Sequence, residues 1–140
     1  EVQAGFLRIK LMRLIQDNLQ RSKIAQFYSE ALENLPEIII PSAVSNVTSC
    51  WHLYVIRHTK RDQLQDELKK LGVETLIHYP IPPHLQPAYK NLGYSRGDFP
   101  IAELIHDQVL SLPIGPTLSL EQAEIIINKI RLAVCAIRNG

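Results

Sequence analysis

Four prolines fall within eight residues, Pro80-Ile-Pro-Pro-His-Leu-Gln-Pro87, and no other stretch of the chain restricts its own backbone so strongly. Each ring holds φ at about −65° and removes an amide donor, so neither a helix interior nor a central strand can run through the segment. It must be a stiff loop. It therefore separates two runs of regular structure, and it carries its own reactive side chains, His84 inside it and His78 and Tyr79 immediately before it.

Upstream of the loop, apolar residues recur at three and four from Val2 to Leu35, as in Leu7, Leu11 and Leu14, then Ile24, Phe27, Ala31 and Leu35. This spacing predicts one long amphipathic helix, stopped by Pro36. At 1.5 Å per residue such a helix is about 50 Å long, more than a domain of this size can cover, so part of it is expected to rest on something else. Asp17-Asn18 and Ser22, poor helix formers, are the competing place for a bend or break. Ile38–Ser49, rich in Pro, Ser, Asn and Thr, reads as a connecting loop with a short extended piece at Ile38–Ile40. Cys50–His58 is aromatic and β-branched, and reads as a strand. Thr59-x-x-Asp62 offers a capping box to a helix with Leu64, Leu68 and Leu71 on one face and Gly72 at its C-cap. Val73–Tyr79 alternates as a second strand, giving strand, helix and strand in order.

Downstream, Asn91–Gly97 is turn-rich and Asp98 is the candidate N-cap of a helix from about Pro100, with Ile101, Leu104 and Ile105 inward. Val109–Pro113 reads as a third strand. Ser119-x-x-Gln122 has the capping-box pattern ahead of a final helix whose inward stripe is Ile126, Ile127, Ile130, Val134 and Ile137. The sum is an α+β fold, a small sheet with helices packed on it.

Several function classes fall away. In 140 residues, 46% of them hydrophobic, there is enough apolar material for one core without metal or disulfides. A formal charge of +1 implies no strong electrostatic partner. The basic run Arg8, Lys10, Arg13, Arg21 and Lys23 is broken by acidic residues and has no stacking platform, so nucleic acid is not an expected partner. Apolar runs such as Ile38–Ile40 and Ile125–Ile127 are far too short to span a membrane. Cys50 and Cys135 sit among apolar neighbours in the sequence and read as inert core thiols in a reducing cytoplasm. No P-loop, GxGxxG pattern or nucleophile elbow occurs. A zinc site from Cys50, His52, His78 and His84 lacks the paired short spacings such sites use. None of the seven lysines has the apolar setting that lowers an ammonium pKa for imine formation. The His78-Tyr79…His84 cluster remains, its two imidazoles and one phenol able to donate, accept or shuttle protons from a rigid loop. The competing reading is a proline-stiffened surface loop whose histidines bond only to backbone.

Four segments, Glu1–Leu11, Leu76-Ile-His-Tyr-Pro-Ile-Pro-Pro-His-Leu-Gln-Pro-Ala-Tyr89, Gly97-Asp-Phe-Pro-Ile-Ala-Glu103 and Leu110-Ser-Leu-Pro-Ile114, together resemble the C-terminal part of the DegT/DnrJ/StrS sugar aminotransferases. The resemblance implies pyridoxal phosphate in the intact protein, the fold-type I architecture and a mostly antiparallel three-stranded sheet. It also implies that residues 1–36 form a connecting helix from a large domain and that residues 37–140 form the small C-terminal domain. The absent initiator Met agrees with a longer parent protein. In the family the Schiff-base lysine, the aspartate facing the pyridine nitrogen and the phosphate-binding residues lie in that large domain, so none maps onto this chain and the chain alone is expected to be inactive. His78, Tyr79 and His84 are the implied contacts to the sugar nucleotide; Tyr89, Tyr94 and Arg96 are weaker candidates, with packing or surface roles. The 78–89 segment is similar to that of enzymes acting on dTDP-3-keto-6-deoxyhexoses. The remaining implications are glutamate as amino donor, a homodimer when full length and a bacterial cytoplasmic location. Two rivals remain open, a catalytically silent regulatory homologue and a free-standing ligand-sensing module.

Overall fold

Two antiparallel strands, β1 (Tyr54–Arg57) and β2 (Val109–Leu112), form the centre of the molecule in the register Tyr54↔Leu112 and Ile56↔Leu110. The structure is a computed structural model, and the residues it describes are 1–42 and 46–139. Each strand is extended sideways by a single bridge, Ile39 beside Arg57 and Leu76 beside Ser111. The expected three-stranded sheet is thus two-stranded. Val73–Tyr79 alternates as a strand would, but only Leu76 pairs, exchanging both backbone bonds with Ser111. The chain then turns into the proline segment, whose rings cannot extend a ladder. The middle of the predicted connecting loop, residues 43–45, lies outside the described residues.

Among the described residues, five α-helices surround this pair: α1 (Val2–Leu11), α2 (Leu14–Leu32), α3 (Arg61–Lys70), α4 (Pro100–Gln108) and α5 (Leu120–Asn139). The predicted single helix is broken at Met12–Arg13, not at Asp17 or Ser22. No residue of α1 is buried, and Leu7, Leu11 and Leu14 of the predicted stripe are exposed. In α2 the fully buried set is Ile24, Ala25, Tyr28 and Leu32, with Phe27, Ala31 and Leu35 at its margin. Together with Ile56, Leu64, Leu68, Leu110, Ile127 and Ile130 they make the core, and α5 packs against both α2 and α3.

The local signals decide where these helices end. Gly72, at φ 76°, follows α3 in a conformation open to glycine; its N–H bonds the Lys69 carbonyl while that of Val73 bonds Leu68. Ser119 and Gln122 form the reciprocal capping box at the start of α5, at 3.0 and 3.1 Å. At α3 the expected Thr59 cap is absent: Lys60 occupies the N-cap, and its N–H bonds Nδ1 of the buried His58. At α4 the N-cap is Phe99, while the Asp98 carboxylate instead closes a turn on the Ser95 N–H at 2.8 Å. The cysteines also depart from expectation, since both Cys50 and Cys135 are exposed.

Candidate functional site

Side chains alternate across a strand, so the burial of Leu110 and Leu112 in the core sends Ser111 to the opposite face of β2. There its hydroxyl meets Nδ1 of His78 at 2.8 Å. Leu76 is paired to Ser111 through the backbone, and His78 lies two residues on, which brings its imidazole over the same position. His52, Glu74, Leu76, His78, Ser111 and Pro113 line a shallow cleft of about 170 Å³ on this face.

Tyr79 follows a cis peptide bond from His78, and the two rings stand edge to face with centroids 5.6 Å apart. Among the described residues its phenol has no hydrogen-bond partner, and the residue is 64% exposed, beside a larger depression of about 470 Å³ formed with Pro80, Ile81, Gln86, Pro87 and Ala88. Its carbonyl accepts a bond from Nδ1 of His106 on α4. The segment then makes two short 3₁₀ turns, Pro83–Leu85 and Pro87–Leu92, each begun by a proline whose missing N–H a helix start does not need.

His84 sits differently. Its Nε2 lies 3.0 Å from Oε1 of Glu103, and both side chains are 8% exposed. The same carboxylate accepts the Gly97 N–H on both oxygens, at 2.8 and 3.0 Å, and the Phe99 N–H at 3.3 Å. The Gly97 bond, followed by the His84 and Phe99 bonds, holds the Glu103 carboxyl below the usual glutamate range against the opposing effect of burial. The Phe99 ring lies 4.8 Å from the imidazole.

The three predicted site residues therefore lie on one stretch of chain pinned at three points: by Ser111 of β2, and by His106 and Glu103 of α4. Sequence reasoning missed all three anchors. They lie 33, 27 and 19 residues from their partners, beyond the reach of local patterns. Tyr94 stacks edge-on against Phe99, and Arg96 pairs with Asp107 at 2.7 Å; Tyr89 is about half exposed. The apolar side of α4 runs against expectation: Ile101, Leu104 and Ile105 point outward, at 75%, 53% and 38% exposure, while Glu103 is the residue turned in.

A lysine that forms an imine must be able to shed its proton. Here Lys10, Lys23, Lys60, Lys69, Lys70 and Lys90 are exposed and Lys129 is half-buried. At Lys70, hydrogen bonding to Glu67 pushes the ammonium pKa up, the direction opposite to the one needed. Among the described residues no lysine is buried in the apolar setting that imine formation uses. Among the described residues, no three metal-type side chains come together and no helix is long and apolar enough to cross a membrane.

The DegT/DnrJ/EryC1/StrS aminotransferase family matches residues 1–131. The chain is 49% identical over 127 residues to the erythromycin biosynthesis sensory transduction protein EryC1 of Saccharopolyspora erythraea, covering 91% of this chain and 35% of that protein. It is 42% identical over 130 residues to dTDP-3-amino-3,6-dideoxy-alpha-D-galactopyranose transaminase of Aneurinibacillus thermoaerophilus, covering 93% and 35%. Among solved structures, S. venezuelae DesV in complex with ketimine intermediate superposes with a TM-score of 0.90 at 42% identity, covering 93% of this chain and 35% of that one. The chain thus spans about a third of the length of the curated relatives it matches.

Proposed function

The chain belongs to the DegT/DnrJ/EryC1/StrS aminotransferase family, and from that premise we propose that it forms the sugar-nucleotide wall of a pyridoxal phosphate-dependent aminotransferase. The intact protein moves an amino group from glutamate to a dTDP-linked keto-deoxy sugar, acts as a homodimer and works in the bacterial cytoplasm. Residues 1–36 are the connection to a large domain and residues 37–140 are the small domain. When bound, the cofactor supplies the electron sink of amino transfer. None of this chain's lysines suits its attachment, so the chain by itself has no transaminase activity.

The observation that carries this reading is the arrangement of His78, Tyr79 and His84 on one proline-stiffened stretch, pinned at three points. A sugar nucleotide presents hydroxyls and phosphate oxygens, and a few convergent imidazole and phenol groups recognise these at little entropic cost when already ordered. The Tyr79 phenol is open to a ligand. His78 offers Nε2, since Nδ1 is on Ser111, and His84 offers Nδ1, since Nε2 is on Glu103.

The test is the His84→Ala substitution in the intact enzyme. Turnover of the sugar nucleotide should fall while cofactor absorbance and cofactor affinity are retained. Unchanged kinetics would remove the loop from the active site. A second reading, a catalytically silent regulatory member of the family, is favoured by the S. erythraea relative, a sensory transduction protein by name. An intact protein that forms no cofactor adduct with a lysine would support that reading over the first.

A further inference from the structure

We propose that Glu103 is a positioning residue for the sugar-nucleotide wall: its buried carboxylate fixes His84 with the proton on Nε2, leaving Nδ1 as the atom offered to a ligand hydroxyl. The inference rests on the functional reading above and narrows the chemistry of one contact within it.

An ionised carboxylate only accepts, so every neighbour within bonding distance must arrive as a donor. The groups around Glu103 meet that condition. The Gly97 and Phe99 amides donate to it, and Arg96 Nε stands 3.9 Å away on the Oε2 side. The remaining partner is His84 Nε2, at 3.0 Å, and it too must carry its hydrogen. In a neutral imidazole the other nitrogen is then a lone-pair acceptor. In that neutral form the acceptor matches a hydroxyl hydrogen and repels a phosphate oxygen, so the contact we assign to His84 is with a sugar hydroxyl.

The setting of Glu103 explains why its carboxylate is so fixed. It lies in the first turn of α4, where the exposed amides of a helix start favour negative charge, and it reaches back to the N-cap amide of Phe99. One turn further on, His106 holds the Tyr79 carbonyl. The same helix thus grips the loop at Tyr79 and at His84, and the bond Glu103 makes to this loop is the one to the imidazole it orients.

The experiment is a double-mutant cycle in the intact enzyme, with a dTDP-linked 3-keto-6-deoxyhexose as the varied substrate. Glu103→Gln keeps the shape but turns an amide N–H toward one of the donors, and it should raise KM about tenfold with kcat nearly unchanged. In the His84→Ala background the same change should add nothing, because residues acting through one another are not additive. Independent KM effects in the cycle would overturn the proposal. A second measurement needs no variant: ¹⁵N-histidine spectra of the wild-type protein should show His84 as the neutral Nε2–H tautomer, and either an Nδ1–H tautomer or a ring protonated on both nitrogens would also overturn it. A wild-type enzyme that fails to turn over the sugar sinks the functional reading instead, and the imidazole spectrum alone then decides whether Glu103 sets the tautomer.

Discussion

Nη1 of Arg61 donates to the carbonyls of His106 and Val109, 3.1 Å from each, and the guanidinium is almost wholly buried. A cation of α3 thereby closes the C-terminal end of α4 and the start of β2, where helix carbonyls lack partners of their own and the helix dipole favours positive charge. Replacing Arg61 by Met removes the donors and leaves both carbonyls without that partner. The expected loss is about 2–3 kcal/mol of unfolding free energy, the usual cost of stranding groups bonded to a charge. Arg61→Lys should recover only part of it, since an ammonium lacks the guanidinium fork. Urea unfolding of both variants checks this, and a Met variant as stable as the parent would show that the bonds contribute nothing net.

Acid should weaken the fold through His58. Burial pushes its imidazole below the ordinary value of 6.5, the larger effect among those acting on it, while Nδ1 accepts the Lys60 N–H at the start of α3. Above 6.5 both folded and unfolded chains hold this residue neutral. As pH falls below 6.5 the unfolded chain binds a proton that the folded chain refuses, so stability is lost on acidification. His58→Asn keeps an acceptor for the Lys60 amide and does not titrate. Its stability between about pH 6.5 and 5 should be flatter than that of the parent, measured as midpoint denaturant concentration against pH. Parallel curves would remove His58 as the source.

The fold was legible wherever the deciding contacts were local. Gly72 after Leu68 and Leu71, and Ser119 three residues before Gln122, are complete within one helical turn, and the structure makes both motifs. The stripe of α5 was equally plain, with Ile126, Ile127, Ile130 and Val134 all buried. Elsewhere periodicity reported an apolar face without saying what lies opposite it. Ile101, Leu104 and Ile105 have the spacing of a core stripe, yet they point outward because Glu103, on the other side of α4, is needed by Gly97, Phe99 and His84. The site divided in the same way. His78, Tyr79 and His84 are neighbours in sequence beside a conspicuous run of prolines, whereas Ser111, His106 and Glu103 join them only through the fold.

Tyr28 is fully buried in α2, its hydroxyl donating to the Pro113 carbonyl at 2.9 Å and its ring 5.2 Å from that of Tyr54. Burial, with the Tyr54 phenol close by, pushes its ionisation well above the ordinary tyrosine range. The hydroxyl therefore stays a donor throughout physiological pH. Tyr28→Phe keeps the ring and deletes one of the bonds that tie α2 to the segment after β2, the other being from Gln20 to the Leu118 carbonyl. A loss of about 1 kcal/mol is expected, with Tm falling by several degrees for a domain of this size. A calorimetric Tm unchanged within error would mean that the Pro113 carbonyl finds an equal partner in water.

Ser111 offers the sharpest separation of stability from recognition. Its backbone exchanges both hydrogen bonds with Leu76 and stands opposite Val55 of β1 in the ladder, and neither arrangement depends on the side chain. Ser111→Ala should therefore keep the fold, at a cost of about 1 kcal/mol for the lost hydroxyl bond to His78. What changes is the imidazole. With Nδ1 freed, His78 loses the contact that fixes its ring over β2 and samples both tautomers and more than one rotamer. In the intact enzyme KM for the sugar nucleotide should rise several-fold, because ordering that ring on binding costs free energy that the hydroxyl contact otherwise offsets. Cofactor absorbance should remain as in the parent. A Ser111→Ala enzyme with parental KM would mean that His78 meets no ligand, and the wall would then rest on Tyr79 and His84 alone.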